Sequence, residues 1–222
     1  MVGARELAAA IDHTLLAAEA TAADVERLCA EAREHGFAAV CVNGLWVARV
    51  ARALAGSAVA ACSVVAFPLG AMEPRAKRAE AERALDDGAR EVDAVIALGA
   101  LLGGDDALVA RDLAGLAEAC HARSARLKVI LECTRLDEAT KRRAARLALE
   151  AGADFLKTST GTAGGATLAD VRLLVELAGG RARVKASGGI RDAAAAQAML
   201  AAGASRLGTS AGLAILRDVR GA

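Results

Sequence analysis

The stretch ALEAGADFLK, residues 148–157, runs from a helical pattern through a glycine into an apolar strand that ends on a lysine. The same phrase recurs as EAREHGFAAVCV (31–42), ALDDGAREVDAVI (84–96) and MLAAGASRLG (199–208), with its glycines at 36, 88, 152 and 203. Glycine accepts the left-handed backbone that ends a helix, so each copy lets a strand begin within a few residues. The chain is therefore written in αβ units.

Helix starts agree with that reading. Thr21 with Asp24, and Thr167 with Asp170, each place a capping hydroxyl three residues ahead of a carboxylate and just before an apolar-periodic run. Between the helices lie eight β-rich runs, at 11–14, 38–42, 59–67, 91–96, 127–132, 154–158, 183–187 and 206–208. Eight strands alternating with helices in 222 residues fit a closed (β/α)₈ TIM barrel, read here as one domain spanning residues 1–222. An open doubly wound sheet is the structural rival. It calls for a Gly-x-Gly-x-x-Gly fingerprint after the first strand, and IDHTLLAAEAT (11–21) has none.

Composition excludes several classes. A net charge of +1 and 2% aromatic residues leave neither a basic field nor stacking rings for nucleic acid. The longest uncharged run, 53–72, contains Gly56, Pro68 and Gly70 and reads as a buried strand with turns, not a membrane helix. MVGARELAAAID carries Arg5, Glu6 and Asp12 and shows no apolar signal core. Five cysteines without a Cys-x-x-Cys pair read as reduced thiols of a cytoplasmic protein, with no metal site among them.

A barrel does its chemistry at the C-terminal ends of its strands. Those ends carry Asp12 and Thr14, Cys41 and Asn43, Asp93, Glu132, Lys157, Lys185, and Gly208-Thr209-Ser210. Lysine is scarce, five residues against 23 arginines, and two of the five are Lys157 and Lys185. In EVDAVI, DFLKTS and RVKAS, alternation turns Asp93, Lys157 and Lys185 away from their apolar neighbours and into the barrel. Two lysines in one desolvated pocket disfavour each other's charge, which leaves a free amine able to attack a carbonyl. The bland alternative is an ion-pair network of Lys157, Lys185, Asp93 and Glu132 that merely holds the barrel together.

SGGIRD (187–192), GTSAG (208–212) and STGTAGG (159–165) offer backbone N–H groups for a phosphate, with Ser210 and Arg191 able to assist. His13 falls on the outward face of its strand and reads as structural, and His35 and His121 read as surface residues. Cys41 faces inward. The charge-dense helix EPRAKRAEAERALDDG (73–88) reads as a solvated outer face laced by i,i+4 pairs.

IDHTLL, CVN, FPLGA, GAREVDAVI, KVILE, GADFLKTSTG, GGAT, VKASGGIR and LGTSAG together resemble the deoxyribose-phosphate aldolase family, in order and spacing across nearly the whole chain. The resemblance implies a class I aldolase that needs no metal or organic cofactor and acts on a phosphosugar, with a homodimer as the usual assembly. It implies Lys157 as the Schiff-base nucleophile, Lys185 as the lysine that tunes it and Asp93 as the proton-relay acid. It places Gly161, Gly188, Gly189, Gly208 and Ser210 on the phosphate and Asp12, Thr14 and Cys41 in the pocket. Departures are Gly44 where proline is usual, Ala97 where asparagine is usual, Thr162 where an aromatic is common, and the lack of any tyrosine. Another lysine-dependent phosphosugar aldolase on the same barrel, or a sugar-phosphate-binding barrel without activity, are the rival readings.

Overall fold

The structure, a computed structural model, describes residues 2–220. Eight parallel strands close into a barrel in sequence order: β1 Ile11–Leu15, β2 Ala39–Val42, β3 Ala60–Val65, β4 Glu91–Val95, β5 Arg126–Ile130, β6 Phe155–Lys157, β7 Arg183–Ser187 and β8 Arg206–Thr209, with β8 pairing back onto β1. The open-sheet rival is thereby excluded. Of the expected domain, residues 1, 221 and 222 lie outside the described residues.

Every expected strand is present, with bounds shifted where the chain turns early. The run 59–67 pairs only through Ala60–Val65, because Ala66 takes φ 51° and swings the chain into the loop. The run 127–132 starts at Arg126 and stops at Ile130, and Glu132 likewise adopts a left-handed φ of 57°. All four recurring glycines, 36, 88, 152 and 203, sit at positive φ, between 68° and 104°. Thr21 and Thr167 cap their helices through the Asp24 and Asp170 N–H groups, as the spacing implied.

Alternation splits each strand between two environments. Val40, Val42, Val92, Ala94, Leu127, Val129, Leu156, Val184 and Leu207 face outward and are buried beneath the helices in one continuous apolar layer. The inward residues are uneven. On β2 and β3 they are small, Ala39, Cys41, Cys62 and Val64, while β4 to β8 contribute Glu91, Asp93, Lys128, Phe155, Lys157, Lys185 and Arg206. Small residues on one side of the barrel make room for long charged ones on the other.

The helix Pro74–Asp86 corrects one expectation. Its solvent side does carry the i,i+4 pairs Arg78–Glu82 and Arg83–Asp87. Lys77, however, is fully buried and donates to Asp112 of the helix Asp106–His121 at 2.5 Å. Ala81, Ala84 and Leu85 are buried on the same helix, so Lys77 lies on its packed stripe, one turn before Ala81.

Candidate active site

A cavity of about 390 Å³ opens at the C-terminal end of the barrel. Lys157, which ends β6, reaches it, and so do Thr14, Ser187 and Gly208 from β1, β7 and β8 and Gly161, Gly188, Gly189 and Ser210 from the loops around it. All the glycines and the serine expected to hold phosphate therefore share one cavity with the expected nucleophile. Asp12, Cys41, Asp93 and Lys185 lie under its floor, almost completely buried.

The floor is an ion cluster. Lys157 and Lys185 are in register on β6 and β7, and both donate to Asp93 Oδ2 at 2.7 Å. Lys185 also donates to Asp12. Lys128, in register with Asp93 on β5, donates to the other Asp93 oxygen at 2.7 Å and lies 2.7 Å from Glu91. Arg206 completes the cluster, donating to Asp12 at 2.6 Å and to Glu91 at 3.0 and 3.2 Å. Burial alone would raise Asp93, but the three lysines outweigh it and hold the carboxyl well below its ordinary range. Burial would likewise raise Asp12, and Lys185, Lys128 and Arg206 overcome it in the same way. Burial would lower Lys185 and Lys128, yet the carboxylates beside them keep both above the usual lysine range.

The expected network thus exists with a different membership. Glu132 is not part of it: its carboxylate turns to the loop after β6, accepting from Thr160 Oγ1 at 2.5 Å and from the Thr160 N–H at 3.3 Å. The left-handed turn at Glu132 aims the side chain that way. Lys128, Glu91, Arg206 and Cys62 are the members that a reading of strand ends alone passes over. Parity could have found them, since Glu91 lies two residues before Asp93 and Arg206 two before Gly208.

Cys41 faces inward as its parity implied, opposite Cys62 on β3. A hydrogen bond from Cys62 pulls the Cys41 thiol down, whereas burial pushes Cys62 well up. Cys41, Cys62 and Asp93 bring three ligand atoms together, as do Asp12, Cys62 and Glu91. The Lys128 ammonium already occupies that space, 2.7 Å from Asp93 and 3.2 Å from Cys62, so a cation is in place without a metal. All five cysteines are free and buried. His13 points out of the barrel to Glu31 at 2.7 Å, and burial lowers it despite that partner.

The rim is built from glycines in contact. Gly188 has φ 90°, and a Cβ there would lie 2.9 Å from the Cα atoms of both Gly161 and Gly165. A Cβ on Gly165 would lie 2.5 Å from the Gly188 carbonyl oxygen. A Cβ on Gly208 would lie 2.2 Å from Ser187 Oγ and 3.0 Å from Lys185 Cε. Backbone approaches this close leave N–H groups bare around the cavity, the usual construction of an anion cradle.

The sequence matches the DeoC/LacD family aldolases over residues 7–220. This chain belongs to that family. It is 50% identical to the deoxyribose-phosphate aldolase of Geobacillus sp. (strain WCH70) over 211 residues, 95% of this chain and 94% of the relative. It is 51% identical to the enzyme of the same name from Brevibacillus brevis, over 95% of each chain. Among solved structures, the aldolase QR15 superposes with a TM-score of 0.92 at 38% identity, covering 100% of this chain and 97% of that one. The tetrameric deoxyribose phosphate aldolase of Aeropyrum pernix does so with a TM-score of 0.92 at 35% identity, covering 98% and 92%. Family membership and the closed eight-stranded barrel agree; of the strand-end residues, Thr14, Lys157, Gly208, Thr209 and Ser210 line the cavity, whereas Asp12, Cys41, Asp93 and Lys185 lie buried beneath it.

Proposed function

We propose that the chain is a class I aldolase, a lyase that reversibly cleaves 2-deoxy-D-ribose 5-phosphate to acetaldehyde and D-glyceraldehyde 3-phosphate. One observation carries this reading: the Lys157 amine reaches the floor of a glycine-rimmed cavity while sharing an Asp93 oxygen with a second lysine. An amine that only contacts a phosphate has no need of a buried carboxylate beneath it.

Lys157, as the free amine, adds to the carbonyl carbon of the open-chain sugar. The carbinolamine loses water to leave an iminium. Loss of the proton from the C3 hydroxyl then breaks the C2–C3 bond, and the electron pair passes into the iminium to form an enamine. Glyceraldehyde 3-phosphate departs, the enamine carbon takes up a proton, and hydrolysis frees acetaldehyde and Lys157.

Asp93 has a definite place in that proton traffic. It rests as an anion, so it accepts before it donates, and its Oδ2 bridges Lys157 and Lys185. A proton leaving Lys157 can be taken up there, while the Lys185 ammonium on the same oxygen is the source from which one returns. Lys185 is also the positive neighbour that opposes a charge on Lys157. Gly161, Gly188, Gly189, Gly208 and Ser210 hold the phosphate end, whose binding energy orients the reacting end, and Thr14 lines the pocket. Asp12 and Cys41 act from below, Asp12 by anchoring Lys185.

Residues 1–222 act as one domain, in the cytoplasm, where five free thiols stay reduced. We propose a homodimer as the assembly; light scattering on the purified chain, expected to give twice the chain mass, is its test. No helix among the described residues is long and apolar enough to cross a membrane. The test of the activity is borohydride trapping with deoxyribose 5-phosphate followed by peptide mass spectrometry. An ethyl group on Lys157 supports the enamine route; no adduct on a protein that binds the sugar phosphate overturns it. A product assay for acetaldehyde separates this reading from other lysine-dependent phosphosugar aldolases.

A further inference from the structure

The charges beneath the pocket are unequal in number. Three carboxylates, Asp12, Glu91 and Asp93, face four cations, Lys128, Lys157, Lys185 and Arg206, all inside the barrel. Arg126 approaches Glu91 only to 3.5 Å from a half-exposed side chain, where water screens it. The remaining inward titratable groups at this level are the Cys41 and Cys62 thiols, from β2 and β3. With the thiols protonated, the cluster carries one positive charge in excess.

A buried surplus charge is costly, and it is relieved by losing a proton from whichever cation can do so. Arg206 cannot, because a guanidinium keeps its proton in proteins. Lys185 is held by two carboxylates. Lys128 is held by Asp93 and Glu91 at 2.7 Å each, with Asp12 at 3.5 Å. Lys157 has one partner, an Asp93 oxygen that it shares with Lys185, and among the described residues it is the one lysine that lines the cavity. Lys157 is therefore the lysine of the cluster least held by carboxylates.

We propose that Lys128, which never reaches the substrate, is a positioning residue whose charge supplies the surplus that keeps Lys157 a free amine. The proposal rests on the reading of Lys157 as the Schiff-base lysine. Lys128 also fixes the Asp93 plane, holding one oxygen while Lys157 and Lys185 share the other. If Lys128 is replaced by an uncharged residue, three cations meet three carboxylates and the surplus charge is gone.

The test is the pH dependence of kcat/KM for cleavage of deoxyribose 5-phosphate, whose acid limb reports the free enzyme. Two cations on opposite oxygens of one carboxylate, roughly 5 Å apart, couple at an effective dielectric constant near 20 by about two pH units. Lys128→Met therefore moves the acid limb up by about two pH units, a loss of about 100-fold at pH values on the limb that is recovered at alkaline pH. Lys128→Arg, which keeps the charge, retains the wild-type limb. Glu91→Gln removes a negative charge, enlarges the surplus and moves the limb down, and it carries the test alone if Lys128→Met does not fold. An acid limb that stays put in Lys128→Met, or in Glu91→Gln where Lys128→Met does not fold, overturns the proposal when wild type is trapped at Lys157. If wild type shows no adduct at Lys157, the functional reading itself fails and takes this proposal with it.

Discussion

Adding one methyl group at Gly188 separates the packing of the cavity rim from the chemistry of its floor. An alanine there must hold φ 90°, at about 1–2 kcal/mol for an L residue in the left-handed half of the map. Its Cβ would also lie 2.9 Å from two Cα atoms and 3.0 Å from a carbonyl oxygen, all backbone atoms that cannot swing aside. Overpacking of that kind costs a further 1–3 kcal/mol or so, for a total of about 2–5 kcal/mol. Gly189 is the control, with φ 78° and nothing within 4 Å of an added Cβ, so Gly189→Ala costs only the conformational part, about 1–2 kcal/mol. Urea unfolding of the two variants reads the difference. Function should divide as well: in Gly188→Ala the loop 159–165 is pushed off the loop after β7, and KM for deoxyribose 5-phosphate rises. Trapping of acetaldehyde on Lys157 by borohydride persists, because acetaldehyde carries no phosphate. Equal stabilities for the two variants would refute the close packing. Parallel loss of acetaldehyde trapping would refute the division between rim and floor.

Three further outcomes follow from the ion pairs. Lys157→Ala abolishes the borohydride adduct and turnover, read by mass spectrometry and product assay, while retaining sugar-phosphate binding. Asp93→Asn slows turnover and leaves three lysines short of a partner, a loss of about 3–5 kcal/mol in urea unfolding at neutral pH. Because Asp93 is held below its unfolded value, its contribution is present above about pH 4 and lost as the pH falls. Stability of Asp93→Asn should therefore fall less steeply on acidification, by about 1.4 kcal/mol per pH unit where that proton binds; unchanged steepness would mean that Asp93 is not the paired group. Lys77→Met strands the buried Asp112 carboxylate at a cost of about 3–5 kcal/mol, and Lys77→Met with Asp112→Leu recovers most of it; a double variant no better than the single would show that the pair is not what Lys77 contributes.

The barrel was legible because its signals are local. A glycine ending a helix and an apolar strand starting just after it lie within a few residues of each other, and closure follows from counting eight such units. The nucleophile was legible because Lys157 stands where an apolar strand has no other use for a charge. The layer below was harder to see for a physical reason. Glu91 and Arg206 start their strands and Lys128 follows the exposed Arg126 that starts β5, so each resembles the solvent-facing end of any strand, and only their shared inward parity distinguishes them. Lys77 was misread for the opposite reason: its helix is so rich in charge that the stripe of Lys77, Ala81 and Ala84 does not stand out, and Asp112, its partner, lies 35 residues on.

The two layers bear on how the lysine chemistry is divided. Lys185 and Lys157 both meet the Oδ2 atom of Asp93, so a change at Lys185 alters both the charge near the amine and the route by which a proton returns. Lys128 meets Oδ1 and bears on charge and on the set of the carboxylate, without touching that route. A Lys185→Met variant should therefore shift the acid limb upward and also lower kcat on the plateau, whereas Lys128→Met should shift the limb with the smaller loss of plateau kcat. If the two variants lose plateau kcat equally, Lys185 has no part in returning the proton, and its role reduces to the same surplus charge that Lys128 provides.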